Sequence, residues 1–100
     1  MPCMQVQAMG IVWYRREDYQ RCKAMFTDGS KLADTFDEWL AGAQKGYDKF
    51  TSEGMMVEKA YIDPDTFPQW CRTHHQEMNS QGRNAYANEC AARKFRADVQ

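Results

Sequence analysis

Only two stretches of this 100-residue chain read as β-strand, and that scarcity constrains the fold more than any other feature. The first is residues 10–14, extending as far back as Met4 in its longest form. Its Ile11-Val12-Trp13-Tyr14 run is β-branched and aromatic, too short for a helix, and followed by a switch to charge. The second is residues 56–62, where Glu58 and Lys59 in the middle imply that part of one face meets solvent. Each run is followed by two helical patterns. The expected fold is therefore α/β (α+β), in the order βααβαα, with helices predominant.

The helices are bounded by recognisable signals. Tyr19, Cys22 and Phe26 repeat at helical spacing over residues 17–26, and Asp28-Gly29-Ser30 supplies a turn that a helix cannot continue through. Thr35-Phe36-Asp37-Glu38 is a capping box for a second helix, in which Thr35 and Glu38 can satisfy each other's free backbone N–H groups. Phe36, Trp39, Leu40, Ala43, Tyr47 and Phe50 then hold one face, with Gly54 as the stop. After the second strand, Asp65 rather than Asp63 is expected to cap the third helix, because Pro68 then falls inside the first turn. That helix presents Phe67, Trp70, Cys71 and His74 as a stripe. A fourth spans residues 81–96 behind Asn79 or Ser80. A faint internal repeat at an offset of about 48 residues pairs Trp13 with Tyr61, Glu17 with Asp65 and Tyr19 with Phe67.

A sheet of two strands is rarely stable alone. Either the strands pair centrally under four helices, or one edge meets a second copy, an isologous homodimer completing a four-stranded sheet. The interface candidates are Met56, Glu58 and Ala60 on the second strand, with Ile11 and Trp13 on the first.

One hundred residues suit a single domain, expected over residues 10–97 behind an N-terminal extension of residues 1–9 that is poorly ordered or opens the first strand. Either Met1 or Met9 could be the natural start. The 13 basic and 14 acidic side chains leave a net charge of −1, which argues against a phosphate backbone or an anionic membrane as partner. No apolar run approaches the ~20 residues of a membrane span, and the first ten residues do not resemble a secretory signal. Four cysteines beside 13% aromatic residues are not the pattern of a disulfide scaffold, so a reducing cytoplasm is expected.

Four constellations could carry chemistry. Cys71-x-x-His74-His75, with Cys90, offers S and N ligands suited to Zn²⁺, but the spacing matches no closed four-ligand site; the plainer expectation buries Cys71 and His74 and leaves His75 in solvent. Glu17, Asp18, Asp63 and Asp65 follow the two strands, where α/β sites collect carboxylates, although helix capping explains them without further assumptions. A pocket there would draw on Glu17, Asp65 and His74. The last two helices resemble a helix-turn-helix, the second offering Arg83, Asn84, Asn88, Arg93, Lys94 and Arg96, with Glu89 among them opposing a phosphate partner. Finally, 7 Met and 13% aromatic residues exceed what one core needs, leaving some for an interface. No phosphate loop, nucleophile elbow, H-E-x-x-H or EF-hand spacing occurs, and no cofactor is implied.

Ile11-Val12-Trp13-Tyr14-Arg15-Arg16-Glu17-Asp18-Tyr19, Asp34-Thr35-Phe36-Asp37-Glu38-Trp39-Leu40, Ile62-Asp63-Pro64-Asp65-Thr66-Phe67-Pro68-Gln69-Trp70-Cys71 and Ala85-Tyr86-Ala87-Asn88-Glu89 resemble a group of short bacterial proteins of unknown function, over about residues 10–95. The resemblance implies a bacterial cytoplasmic protein that makes up a whole small chain, of a kind that also travels on mobile elements. It carries over no catalytic residue or ligand. Expected function is therefore a homodimeric protein-interaction or regulatory module. The alternatives are a small enzyme or ligand-binding protein using the Glu17, Asp65 and His74 pocket, or DNA binding through residues 66–96.

Overall fold

A computed structural model describes residues 8–99, with side chains described through Phe95. Strand β1, Ala8–Trp13, leads through a short 3-10 turn into helix α1, Tyr19–Met25, then helix α2, Phe36–Ser52. Strand β2, Met56–Tyr61, is followed by α3, Phe67–Thr73, and α4, Ser80–Val99. The expected βααβαα order is present. The expected extension lies outside the described residues except for Ala8 and Met9, which open β1.

The two strands pair in parallel, with register partners running from Ala8 and Met56 to Trp13 and Tyr61. A parallel pair needs a long crossover, which α1 and α2 provide. Because side chains alternate across a strand, Gly10 and Trp13 point to opposite faces. Trp13 packs edge-on against Trp39 and Tyr47 of α2, at 5.2 and 6.0 Å between centroids. Gly10 lies against α4, so closely that a Cβ there would sit 1.9 Å from the Ala87 carbonyl oxygen. The sheet is thus a middle layer, with α2 on one face and α4 on the other.

Beyond the strand ends, Tyr14, Tyr19, Cys22, Phe26, Ile62, Phe67 and Cys71 form the main core. Its aromatics meet edge to face: Tyr14 with Tyr19 at 5.5 Å, Phe26 with Phe67 at 6.0 Å, and Phe67 with Tyr86 at 5.6 Å. The offset of 48 noted in the sequence equals the strand register, and it also relates Tyr19 to Phe67, each the buried first residue of a seven-residue helix. The match is one of element order more than of environment. Trp13 is 5% exposed under α2, whereas its partner Tyr61 is 38% exposed.

The helix ends separate legible signals from hidden ones. The Thr35 hydroxyl accepts the Glu38 N–H at 3.1 Å, as a capping residue should, but Glu38 bonds the Thr35 hydroxyl rather than its backbone N–H. At the other end of α2, Gly54 takes φ 88°, and the Gly54 and Met55 N–H groups return to the carbonyls of Thr51 and Phe50. Asp65 does not cap α3. Asp63 accepts the Asp65 N–H at 2.8 Å in a local turn, its carbonyl accepts the N–H groups of Thr66 and Phe67, and the Asp65 carboxylate pairs with Arg21 instead. Asn79 caps α4, its side chain accepting the Gly82 N–H at 3.0 Å.

Replacing Gly10 with alanine should drive β1 and α4 apart. We expect a loss at or above the ~1–3 kcal/mol of an overpacked core in urea unfolding. Gly42→Ala, on a part of α2 with open space around the new methyl group, should instead stabilise by roughly 0.5–1 kcal/mol.

Candidate functional site

The sheet has two strands and therefore two outer edges among the described residues. The Ile62 N–H donates to the Trp13 carbonyl at 3.0 Å, which fixes which backbone groups face inward. These groups alternate along a strand, so Ala8, Gly10 and Val12 direct theirs outward from β1, and Val57, Lys59 and Tyr61 from β2. Side chains distinguish the two edges. Strand β1 carries no charged residue and its Met9, Gly10, Ile11 and Val12 are half-buried. Strand β2 carries Glu58 and Lys59 at its centre, with Met56 42% exposed at one end and Tyr61 at the other.

Of the five interface candidates, Met56 and Ile11 keep accessible surface beside an edge, and Glu58 is half-buried on the α4 side of the sheet. Trp13 and Ala60 are core residues: Trp13 is held under α2, Ala60 is 2% exposed, and the backbone groups of both point inward. Lys59, not among the candidates, is drawn across its own face, its Nζ 4.2 Å from the Trp13 ring centroid and 4.6 Å from that of Tyr47.

The three residues expected to share a pocket enter separate networks. Glu17 is exposed on the 3-10 turn Arg16–Asp18, and Asp65 pairs with Arg21. His74 stacks on Trp70 at 4.2 Å, with Nδ1 2.9 Å from the Trp70 carbonyl and Nε2 3.2 Å from Glu89 Oε1. Both ring nitrogens face acceptors of the chain itself. Glu89 is the hub of that cluster, also accepting from Trp70 Nε1 at 3.0 Å and Arg93 at 2.7 Å. The indole hydrogen bond, helped by the His74 and Arg93 charges, holds its carboxyl below the usual carboxylate range.

Cys71, His75 and Cys90 are not brought together. Among the described residues, no three His, Cys, Asp or Glu side chains are placed to hold a metal ion. Cys71 is buried with its sulfur toward the Glu77 carbonyl, and Cys90 is half-buried beside Tyr86. Burial pushes all three described thiols up, that of Cys22 to about 12, which leaves them protonated and unreactive near neutrality. His75 has a structural part instead. It takes φ 57° after α3, and the His75 and Gln76 N–H groups return to the Arg72 and Cys71 carbonyls, a helix stop usually built with glycine.

Arg83, one of the side chains that the helix-turn-helix reading offered to DNA, is taken up inside the fold. Arg83 is 8% exposed, stacked 4.4 Å over the Phe26 ring and bonded to both oxygens of Asp28 at 2.8 and 3.2 Å. Arg93 is committed to Glu89. Asp28 also accepts the Ser80 N–H at 3.0 Å, and the Met78 carbonyl accepts the Thr27 N–H at 2.9 Å, so the turn after α1 is bolted to the start of α4. Sequence reasoning placed Asp28 in a helix-stopping turn and Arg83 in a reading face, with no local signal that they would meet across 55 residues. The arginine hydrogen bonds hold the Asp28 carboxyl below its ordinary range.

No family model, curated protein or solved structure matches the chain. Among the described residues no helix is long and apolar enough to cross a membrane.

Asp28 and Glu89 have folded-state pKa values below their unfolded ones. Their stabilisation is present above the unfolded carboxylate range near pH 4 and is lost as pH falls through the folded values. Asp28→Asn should therefore lower the urea midpoint at pH 7 and flatten its decline toward pH 3. An undiminished decline would assign the acid sensitivity elsewhere. His75→Gly should stabilise by roughly 1 kcal/mol in the same assay, by relieving a left-handed backbone at a side chain that ligates nothing.

Proposed function

We propose that the protein acts as a homodimeric interaction module, two copies meeting at a strand edge so that their two-stranded sheets become one of four strands. The observation that carries this is a sheet of two parallel strands with, among the described residues, no further strand paired to either outer side. Two strands are marginal even under helices, and an edge that is neither charged nor covered is a template for another strand. A second copy supplies that strand with the same surface used twice, as closed two-fold assemblies do.

The pattern of charge supports an interaction role over catalysis. Asp28 with Arg83, Asp65 with Arg21, and Glu89 with His74 and Arg93 are paired with one another within the chain. Such pairs position helices; they do not present a nucleophile or a free base. The module's output, regulatory or scaffolding, would then depend on what the joined helices present.

Sedimentation equilibrium of the untagged chain should return about twice its 11.7 kDa mass, with dissociation on dilution. A single species of monomer mass up to the highest soluble concentration would overturn the proposal.

A further inference from the structure

The two edges are not equivalent partners for a second copy, and the geometry points to β1. We infer that β1 pairs antiparallel with β1 of the other copy about a two-fold axis at Ile11; this rests on the homodimer proposed above and names the surface it uses.

A two-fold axis perpendicular to a sheet, set between two antiparallel strands, places one residue of the strand directly opposite its own copy. For β2 the two central positions are Glu58 and Lys59. Centring there sets carboxylate against carboxylate or ammonium against ammonium, and like charges directly opposite are destabilising. For β1 the two central positions are Gly10 and Ile11, with no charge anywhere on the strand. Centring on Gly10 would oppose two residues without side chains and forgo cross-strand packing. Centring on Ile11 opposes two β-branched side chains, sets Met9 against Trp13 on the α2 side, and aligns Gly10 with Val12 of the other copy.

The backbone agrees with that register. Gly10 and Val12 direct their N–H and C=O groups outward, so each Gly10–Val12 pairing across the axis can exchange both hydrogen bonds. Ile11 directs its groups toward β2 and therefore falls at a non-hydrogen-bonded position, where antiparallel Cα atoms approach to about 4.5 Å. That separation lies within the range a disulfide can span. The order of the joined sheet is β2-β1-β1-β2, with the charged β2 edges outermost, where charge discourages further growth.

The test uses the full chain with Cys3→Ser as background. Adding Ile11→Cys should give a disulfide-linked dimer in high yield under mild oxidation, visible on a non-reducing gel. Separately, Ile11→Lys should weaken dimerisation at least ~10-fold by sedimentation while circular dichroism stays native, because two ammonium groups would then face each other at the axis. Met56→Lys, on the other edge, should leave the dimer intact. A dimer that does not cross-link through position 11 and is dissociated by Met56→Lys would overturn the β1 assignment and leave the homodimer standing. A parent chain that is monomeric throughout would overturn both. If Ile11→Lys fails to fold, the cross-link alone decides.

Discussion

The close approach of β1 to α4 at Gly10 is the contact on which the rest of the structure depends. With no Cβ in the way, the strand backbone lies against the carbonyl of Ala87, and α4 crosses a sheet only two strands wide. Small residues continue the seam, with Ala60, Ala87 and Ala91 all buried. With α4 seated on one face, α2 is left the other, where Trp13, Trp39 and Tyr47 fill the larger gap. Both faces of the sheet are thereby covered by the chain's own helices. Among the described residues no further strand pairs with either outer edge, and the functional proposal starts from those edges.

The second fixed point is the Asp28–Arg83 pair. It joins the turn after α1 to the first turn of α4 across half the chain, and its aromatic floor is Phe26, which also packs on Phe67. A half-buried carboxylate bonded by two guanidinium nitrogens and a backbone N–H is satisfied on every side. Together with the Glu89 cluster it shows how the ionisable groups of this protein are used. Those pairs and clusters tie α1 to α3 and α4, and α3 to α4.

Much of the architecture was legible because its signals are local. Thr35 and Gly54 bracket α2, and the apolar face between them has one period. The strands were legible from Ile11-Val12-Trp13 and Met56-Val57, although not which face or edge each would present. The misses concern partners distant in sequence. Asp65 looked like a cap because it precedes Pro68, but Arg21 lies within reach once α1 and α3 pack, and the local turn is closed by Asp63. Arg83 was read as a nucleic-acid contact from its side-chain type and its place on the second helix of the hairpin, and its partner Asp28 lies 55 residues away. His75 entered the zinc reading because it lies one turn from Cys71, and its place in solvent was the plainer expectation; its left-handed backbone at the helix stop, where glycine is usual, had no signal in the sequence. Trp13 and Ala60 were candidate interface residues by strand alone, and only the packing of α2 and α4 assigns them to the core.

Amide hydrogen exchange at the two edges tests the central claim most directly. If two copies pair through β1, the Gly10 and Val12 amides should be protected well above those of Val57, Lys59 and Tyr61, and dilution should abolish that protection. Fast, concentration-independent exchange at Gly10 and Val12 in an otherwise well-protected fold would contradict it.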